Sequence, residues 1–308
     1  MKACCRAREM MHGLRDSFDY VECTSCGCVQ IADWPEDLQK YYPSHYYSFQ
    51  RPNPLARLSR EVRLLSEASG LSRAVASLFG RSSRRLPADF VPADLARSTR
   101  ILDIGSGSGA YVDALFCAGF QSVHGIDPNM APASERNFPF KLERTVASTL
   151  VARGERYGFV YMSHSLEHMQ DQHAALGSVR KLLEVDGLCC IRIPWVSSEA
   201  WERYGANWVQ LDAPRHFYLH SRRSFEHLIS SAGFRIVKLW CDSTAFQFWA
   251  SEQYAKDIPL YSERSWLVAP ARSIFTKAQL ADYERRAGEL NQAGRGDQIV
   301  AWLAPTGG

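Results

Sequence analysis

The segment Arg100-Ile101-Leu102-Asp103-Ile104 runs directly into Gly105-Ser106-Gly107-Ser108-Gly109, and residues 110–118 continue with the spacing of a helix. A short apolar run bounded by glycines reads as a buried strand. Glycine accepts the left-handed backbone that a tight strand-to-helix turn needs and lets the main chain approach a ligand closely. The helix that follows presents N–H groups with no intrahelical partner, a ready site for an anionic or polar group. Further apolar runs stand at 123–127, 159–162, 188–193, 234–240 and 298–303, separated by helix-like stretches. Strands that alternate with helices predict an α/β fold, a parallel sheet covered by helices on both faces. Such a sheet binds its ligand outside the carboxyl ends of the strands, where the glycine loop lies.

Asp127 ends the second of these strands, 22 positions after Gly105. A carboxylate there can accept hydrogen bonds from both hydroxyls of a ribose, so loop and acid together describe a site for an adenosine-type nucleoside. Gly105, Gly107 and Ala110 also satisfy the loose G-x-G-x-x-[GA] pattern of dinucleotide binders. The glycines alone therefore leave a nucleotide-dependent oxidoreductase open.

The 308 residues exceed the usual size of one domain, which predicts a catalytic domain with an appendage. A hydrophobic fraction of 46% with 22% charged residues excludes disordered and low-complexity classes. No run reaches the length of a membrane helix and no apolar leader opens the sequence, so the expected location is the cytoplasm. The net charge of +3 hides an uneven distribution: residues 51–100 carry ten Arg and four acids, a local +6, and the rest sums to −3. Leu55, Leu58, Val62 and Leu65, then Leu71, Val75 and Leu78, fall at helical spacing about Gly70. Residues 51–98 thus read as an Arg-rich helical connector; no nucleic-acid motif interleaves with the arginines, which are read as solvated surface. Residues 246–293 read as mostly helical, with Gln279 to Leu290 as the clearest helix.

Ile101-Leu102-Asp103-Ile104-Gly105-Ser106-Gly107-Ser108-Gly109 with Gly125-Ile126-Asp127-Pro128-Asn129 resembles motifs I and II of class I S-adenosylmethionine-dependent methyltransferases. Ser163-His164-Ser165-Leu166-Glu167-His168-Met169, and Asp212-Ala213-Pro214-Arg215-His216 leading to Ser231-Ala232-Gly233-Phe234, are similar to the ubiquinone-methyltransferase-like branch, methyltransferase types 11, 12 and 23, and its relatives in sugar methylation. The resemblance covers roughly residues 99–245 and the last strand. It implies a doubly wound, Rossmann-like, mostly parallel seven-stranded sheet with an antiparallel last strand, within a domain over 99–308 that carries 246–293 as an insertion. S-adenosylmethionine is the implied cofactor. Gly105, Gly107 and the loop backbone with Ser106 and Gly109 would hold its methionine end, Asp103 the ammonium side, and Asp127 the ribose; Tyr111 and Pro128 would also belong to the cofactor site. Ala147 and Ser148 would lie near the adenine, and Ser163 and His164 toward the sulfonium. One departure is Gly158, where relatives usually carry Asp.

His164-x-x-Glu167-His168 also matches the H-x-x-E-H signature of inverted zinc peptidases, which needs both histidines on one helix face. Here the motif starts one residue after the strand at 159–162, and a peptidase would leave Gly105 and Asp127 without a role. Methyl transfer asks chiefly for positioning, and for a base only where the acceptor holds its proton tightly. His168 and His216 are the candidate bases, with Glu167 to orient His168 or to bind a divalent ion; a cap or packed histidine is the plain alternative. Trp195, Trp201, Tyr204 and Trp208 form either an acceptor wall or core. The expected reaction is methyl transfer to a small-molecule or glycan acceptor, at oxygen, with C-methylation of a deoxysugar as the variant.

Cys23-Thr24-Ser25-Cys26-Gly27 is a C-x-x-C-G knuckle of the kind that wraps a tetrahedral zinc ion, and five of the nine cysteines fall before residue 29. The first 50 residues resemble the zinc-binding module that precedes many of these methyltransferase domains, in which an earlier C-x-x-C completes the set. Met1-Lys2-Ala3-Cys4 stands where that pair is expected, with Met1 in place of a cysteine. An upstream start, replacement by Cys5 or Cys28, a degenerate site, and redox or packing roles all stay open. The expected ligands are Cys4, Cys23 and Cys26, completed by Cys5 or Cys28.

Overall fold

The computed structural model describes residues 1–43, 90–130 and 140–307. Most of the expected connector lies outside the described residues. The strands are β1 (Lys2–Arg8), β2 (Ser17–Glu22), β3 (Val29–Ile31), β4 (Arg100–Ile104), β5 (Ser122–Ile126), β6 (Lys141–Glu143), β7 (Tyr157–Ser163), β8 (Leu183–Pro194), β9 (Tyr218–Leu219), β10 (Phe234–Cys241) and β11 (Gln298–Pro305). The helices are α1 (Ala110–Cys117), α2 (Ala147–Ala152), α3 (Gln172–Leu182), α4 (Glu199–Tyr204), α5 (Arg222–Ser231), α6 (Phe246–Ala255) and α7 (Lys277–Gln292). One sheet has the order β10-β11-β8-β7-β4-β5-β6. Within it β4 pairs parallel with both β5 and β7, β5 pairs parallel with β6, and β10 pairs antiparallel with β11. This is the Rossmann-like α/β arrangement expected from the resemblance. Among the described residues no helix is long and apolar enough to cross a membrane.

The chain divides into two compact units. One comprises Ser44–Ser163 and Gly177–Cys190. Its strands β4, β5 and β7 are buried on both faces, as parallel strands between helices must be. Ile101, Leu102, Phe159 and Val160 are fully inaccessible, and Val112 and Leu115 of α1 pack with the same completeness. Gly158 has a steric reason for its departure from Asp: a Cβ there would lie 2.6 Å from Thr99 Cγ2 and 3.3 Å from Glu184 Oε2.

The other unit comprises Met1–Pro43, His164–Leu176 and Ile191–Gly308. It holds a four-stranded antiparallel sheet in the order β1-β2-β3-β9, whose last strand comes from far along the chain. Tyr20, Val29 and Ile31 of this sheet share a core with Trp208, Phe217, Leu219 and Phe248. Trp195, Tyr204 and Trp208 are all buried, Trp201 packs against the same core, and Trp208 Nε1 donates to Asp297 Oδ2 at 2.9 Å. These aromatics are core. The 246–293 region carries α6 and α7 joined by turns, and α7 starts at a capping box in which Thr276 and Gln279 satisfy each other's backbone N–H.

Candidate functional site

The glycine loop closes over the carboxyl ends of β4 and β5. Gly105, Gly107 and Gly109 have φ of 80°, 52° and 79°, a region that side chains with a Cβ rarely enter. The N–H groups of Gly105 and Ser106 both donate to Ile126 O, at 2.8 and 3.1 Å, which pins the loop to the end of β5. Gly109 is fixed by packing as well, since a Cβ there would sit 2.6 Å from Leu142 Cδ1. Asp127 accepts from Gly107 N at 3.0 Å through Oδ2 and from Asn129 N at 2.7 Å through Oδ1. Each carboxylate oxygen keeps a lone pair for a further donor.

Asp103 is almost wholly buried, and burial together with the nearby Asp127 charge pushes its carboxyl up to about 8. Ser106 Oγ is buried without a hydrogen-bond partner among the described residues. Pro128 O accepts from Arg144 Nε at 3.0 Å. Ala147 and Ser148 open α2, just beyond β6, and Ser163 ends β7. Tyr111 stacks on Tyr161 with ring centroids 3.9 Å apart. A loop with glycine at three of five positions, a buried serine hydroxyl with no partner among the described residues and an acid at the end of the neighbouring strand together suit the methionine and ribose parts of S-adenosylmethionine.

The second constellation lies in the other unit. His164 has a positive φ of 49° and its N–H donates to Arg192 O at 2.9 Å. Residues Leu166–His168 form a single 3₁₀ turn rather than an α-helix. His164 and His168 are therefore not an i, i+4 pair on a helix face, and the zinc-peptidase geometry is not built. Glu167 is 1% exposed. Its Oε1 lies 3.1 Å from His164 Nδ1 and 3.9 Å from His216 Nε2, while Oε2 is buried without a hydrogen-bond partner among the described residues. Burial works to raise the Glu167 carboxyl, but the His164 hydrogen bond and the three imidazoles outweigh it and hold it at about 2.

His168 Nδ1 stands 2.8 Å from Arg215 O, and His216 Nδ1 stands 2.7 Å from Gln210 O. A carbonyl only accepts, so both Nδ1 atoms carry a proton, and the Tyr42 hydroxyl also lies 3.0 Å from His168 Nδ1; in a neutral ring held this way Nε2 offers the lone pair. Burial, helped by His216, lowers His168 to about 4, which keeps it neutral.

A buried ion network supports the backbone that presents His216. Arg215 is fully buried; it bonds Asp212 through Nε at 3.0 Å and Nη2 at 2.6 Å, and Glu9 Oε1 through both Nη atoms at 3.0 Å. Glu9 in turn accepts the backbone N–H of His12 and of Leu14, each at 3.0 Å. The D-x-P-R-H stretch could flag Asp212 and Arg215; nothing near Glu9 in the sequence could.

The cysteines form the expected knuckle: Gly27 N donates to Cys23 O at 2.8 Å and Cys23 N to Cys28 O at 2.9 Å. Backbone N–H groups of Cys26 and Ser25 hold the half-buried Cys23 thiol below its ordinary value. Cys4 and Cys5 share a contact on β1, and burial pushes Cys5 up to about 12; burial does the same to Cys28. No three of these five thiols approach within 4.8 Å of one another. Cys23 pairs with Cys26 and Cys4 with Cys5, so as arranged they do not fit a closed tetrahedral zinc site, which needs four ligands around one ion.

No curated protein matches the chain. Among solved structures, an S-adenosylmethionine-dependent methyltransferase from Mesorhizobium loti is 16% identical over 70% of this chain and 94% of that one, with a TM-score of 0.45. A second, from Archaeoglobus fulgidus, is 18% identical over 68% of this chain and 86% of that one, with a TM-score of 0.43. The 1,6-didemethyltoxoflavin-N1-methyltransferase of Burkholderia thailandensis is 15% identical over 94% of this chain and 99% of that one, with a TM-score of 0.45. The family model of a methyltransferase domain matches residues 71–239, more than half of the sequence, and the chain belongs to that family, the class I S-adenosylmethionine-dependent methyltransferases.

Proposed function

We propose that the protein methylates a hydroxyl oxygen of a small-molecule or carbohydrate acceptor, with His168 or His216 receiving the hydroxyl proton. The observation that carries this reading is the pair of imidazoles whose Nδ1 protons are held by backbone carbonyls, with His168 kept neutral by burial, beside an ionised Glu167. Such an arrangement fixes the rings and places a charge that stabilises an imidazolium formed on proton transfer.

Bound S-adenosylmethionine supplies an electrophilic methyl group. Gly105, Ser106, Gly107 and Gly109 would cradle its methionine end and Asp127 its ribose, with Asp103, Tyr111, Pro128, Ala147, Ser148, Ser163 and His164 completing the cofactor residues. Pinned by Gly107 and Asn129, Asp127 needs little reorganisation to accept further donors. The acceptor oxygen forms the new bond to carbon as the sulfur–carbon bond breaks; the acceptor proton goes to Nε2. Domain limits of 1–50, 51–98 and 99–308 belong to the same reading.

The test is incubation with S-adenosylmethionine carrying a ¹³C methyl group, together with a panel of sugars, polyols and phenols, and detection by NMR. A new O-methyl resonance is expected. Methyl carbon bonded to carbon or nitrogen would replace the oxygen assignment, and His168→Ala with His216→Ala should lower turnover while S-adenosylhomocysteine affinity stays within about threefold.

A further inference from the structure

We propose that Glu167, His168 and His216 form a binding site for one divalent first-row transition-metal ion, distinct from the cysteine knuckle. One ligating atom from each of the three lies within 4.8 Å of the others, the one such group of three among the described residues. Movements of less than about 1 Å bring three such atoms to ~2.0–2.2 Å from a central ion.

Three features separate this cluster from a chance meeting of side chains. Both imidazoles are oriented by backbone carbonyls at Nδ1, Arg215 O for His168 and Gln210 O for His216. Outer groups of this kind fix the tautomer and aim Nε2 in metal-ligating histidines. Glu167 Oε2 is a buried carboxylate oxygen with no donor among the described residues, in a side chain 1% exposed. Leaving such an oxygen unsatisfied is costly, and a cation removes the cost. Finally, the charges around the cluster favour a cation: Asp212 Oδ2 lies 3.7 Å from His216 Nε2, and the Arg215 guanidinium is spent on Asp212 and Glu9.

Two imidazoles and one carboxylate suit Zn²⁺, Fe²⁺, Co²⁺ or Mn²⁺ rather than Ca²⁺ or Cu⁺. Three protein ligands also leave at least one position open, the pattern of reactive rather than structural sites. His164, although part of H-x-x-E-H, is not in the set, because its Nδ1 is turned to Glu167 Oε1.

The inference goes beyond the methyl-transfer reading: a bound ion occupies the Nε2 lone pairs, so the histidines act as bases only in the metal-free protein, and the test reads metal alone, so methyl transfer and metal binding can each fail without the other. Full-length protein with Cys23→Ser and Cys26→Ser, freed of metal, is titrated with Co²⁺ and followed by visible absorption. One equivalent should saturate ligand-field bands without the near-ultraviolet thiolate charge-transfer band. Glu167→Gln and His216→Ala, checked for fold by circular dichroism, should each weaken binding at least about tenfold. In the parent protein, Zn²⁺ should shift the Nε2 resonances of His168 and His216 in ¹⁵N spectra, a readout that survives if the variants do not fold. Absence of saturable bands, unchanged affinity in folded variants, or unmoved Nε2 resonances would each overturn the proposal.

Discussion

Arg215→Met gives the sharpest perturbation of the unit that carries the histidines. The guanidinium is fully buried between Glu9, itself fully buried, and Asp212, which is 8% exposed. Its removal leaves two carboxylates facing each other with no countercharge and strips Tyr41 O of a donor at 3.2 Å. Breaking a buried pair by deleting one partner costs about 3–5 kcal/mol, a large share of the ~5–15 kcal/mol that holds a typical domain. The loss should therefore appear in urea unfolding at pH 7 as a midpoint lower by more than 1 M, at the ~1–3 kcal/mol/M usual for urea.

The cost should depend on pH with a definite sign. Burial works to raise Asp212, but the Arg215 charge and hydrogen bonds outweigh it and hold the carboxyl below its ordinary value. That stability is present above the unfolded carboxylate value of about 4 and is lost as pH falls through the lower folded value. In the variant the carboxyl has no such support and takes up a proton readily, so the gap between variant and parent should narrow as pH falls toward about 4. Adding Glu9→Gln and Asp212→Asn to Arg215→Met should restore much of the stability, because the amides leave no uncompensated charge. An Arg215→Met cost below 1 kcal/mol, or one that does not change with pH, would refute the reasoning.

Two further outcomes follow from the cofactor residues. Asp103, raised by burial and by Asp127 to about 8, is protonated in the folded chain where the unfolded chain has lost its proton. Stability should decline as pH rises from about 4 through about 8, by an amount on the order of 5 kcal/mol at most, and Asp103→Asn should flatten that decline in melting temperature against pH. Gly109→Ala meets both a φ of 79° and a Cβ contact of 2.6 Å, so it should cost at least ~1–2 kcal/mol in urea unfolding and weaken S-adenosylhomocysteine binding by tenfold or more.

The sheet was readable because parallel strands buried on both faces write themselves as continuous apolar runs. β4, β5 and β7 match the runs at 101–104, 123–127 and 159–162 to within two residues. The glycine loop and Asp127 were readable because backbone conformation and burial allow few other residues there. What stayed hidden depends on contacts between distant parts of the chain. β9 is two residues long and pairs with β3 across more than 180 positions, so no local period could announce it. Glu9 looks like any surface acid until the fold brings Arg215 to it. The tryptophans after β8 carry no mark that tells an acceptor wall from a core; only Asp297, receiving the Trp208 indole, decides the case of Trp208. The cysteine spacing gave the knuckle, but ligand count depends on how β1 runs past it, and β1 has a bulge between Ala3 and Cys5.

Calorimetric titration of the protein with S-adenosylhomocysteine, with NAD as the control, tests the central claim most directly. The expected result is one site of micromolar affinity for the homocysteine compound, no response to NAD, and loss of at least tenfold in affinity for Asp127→Ala with an unchanged circular dichroism spectrum. Micromolar NAD binding with no response to S-adenosylhomocysteine would contradict it.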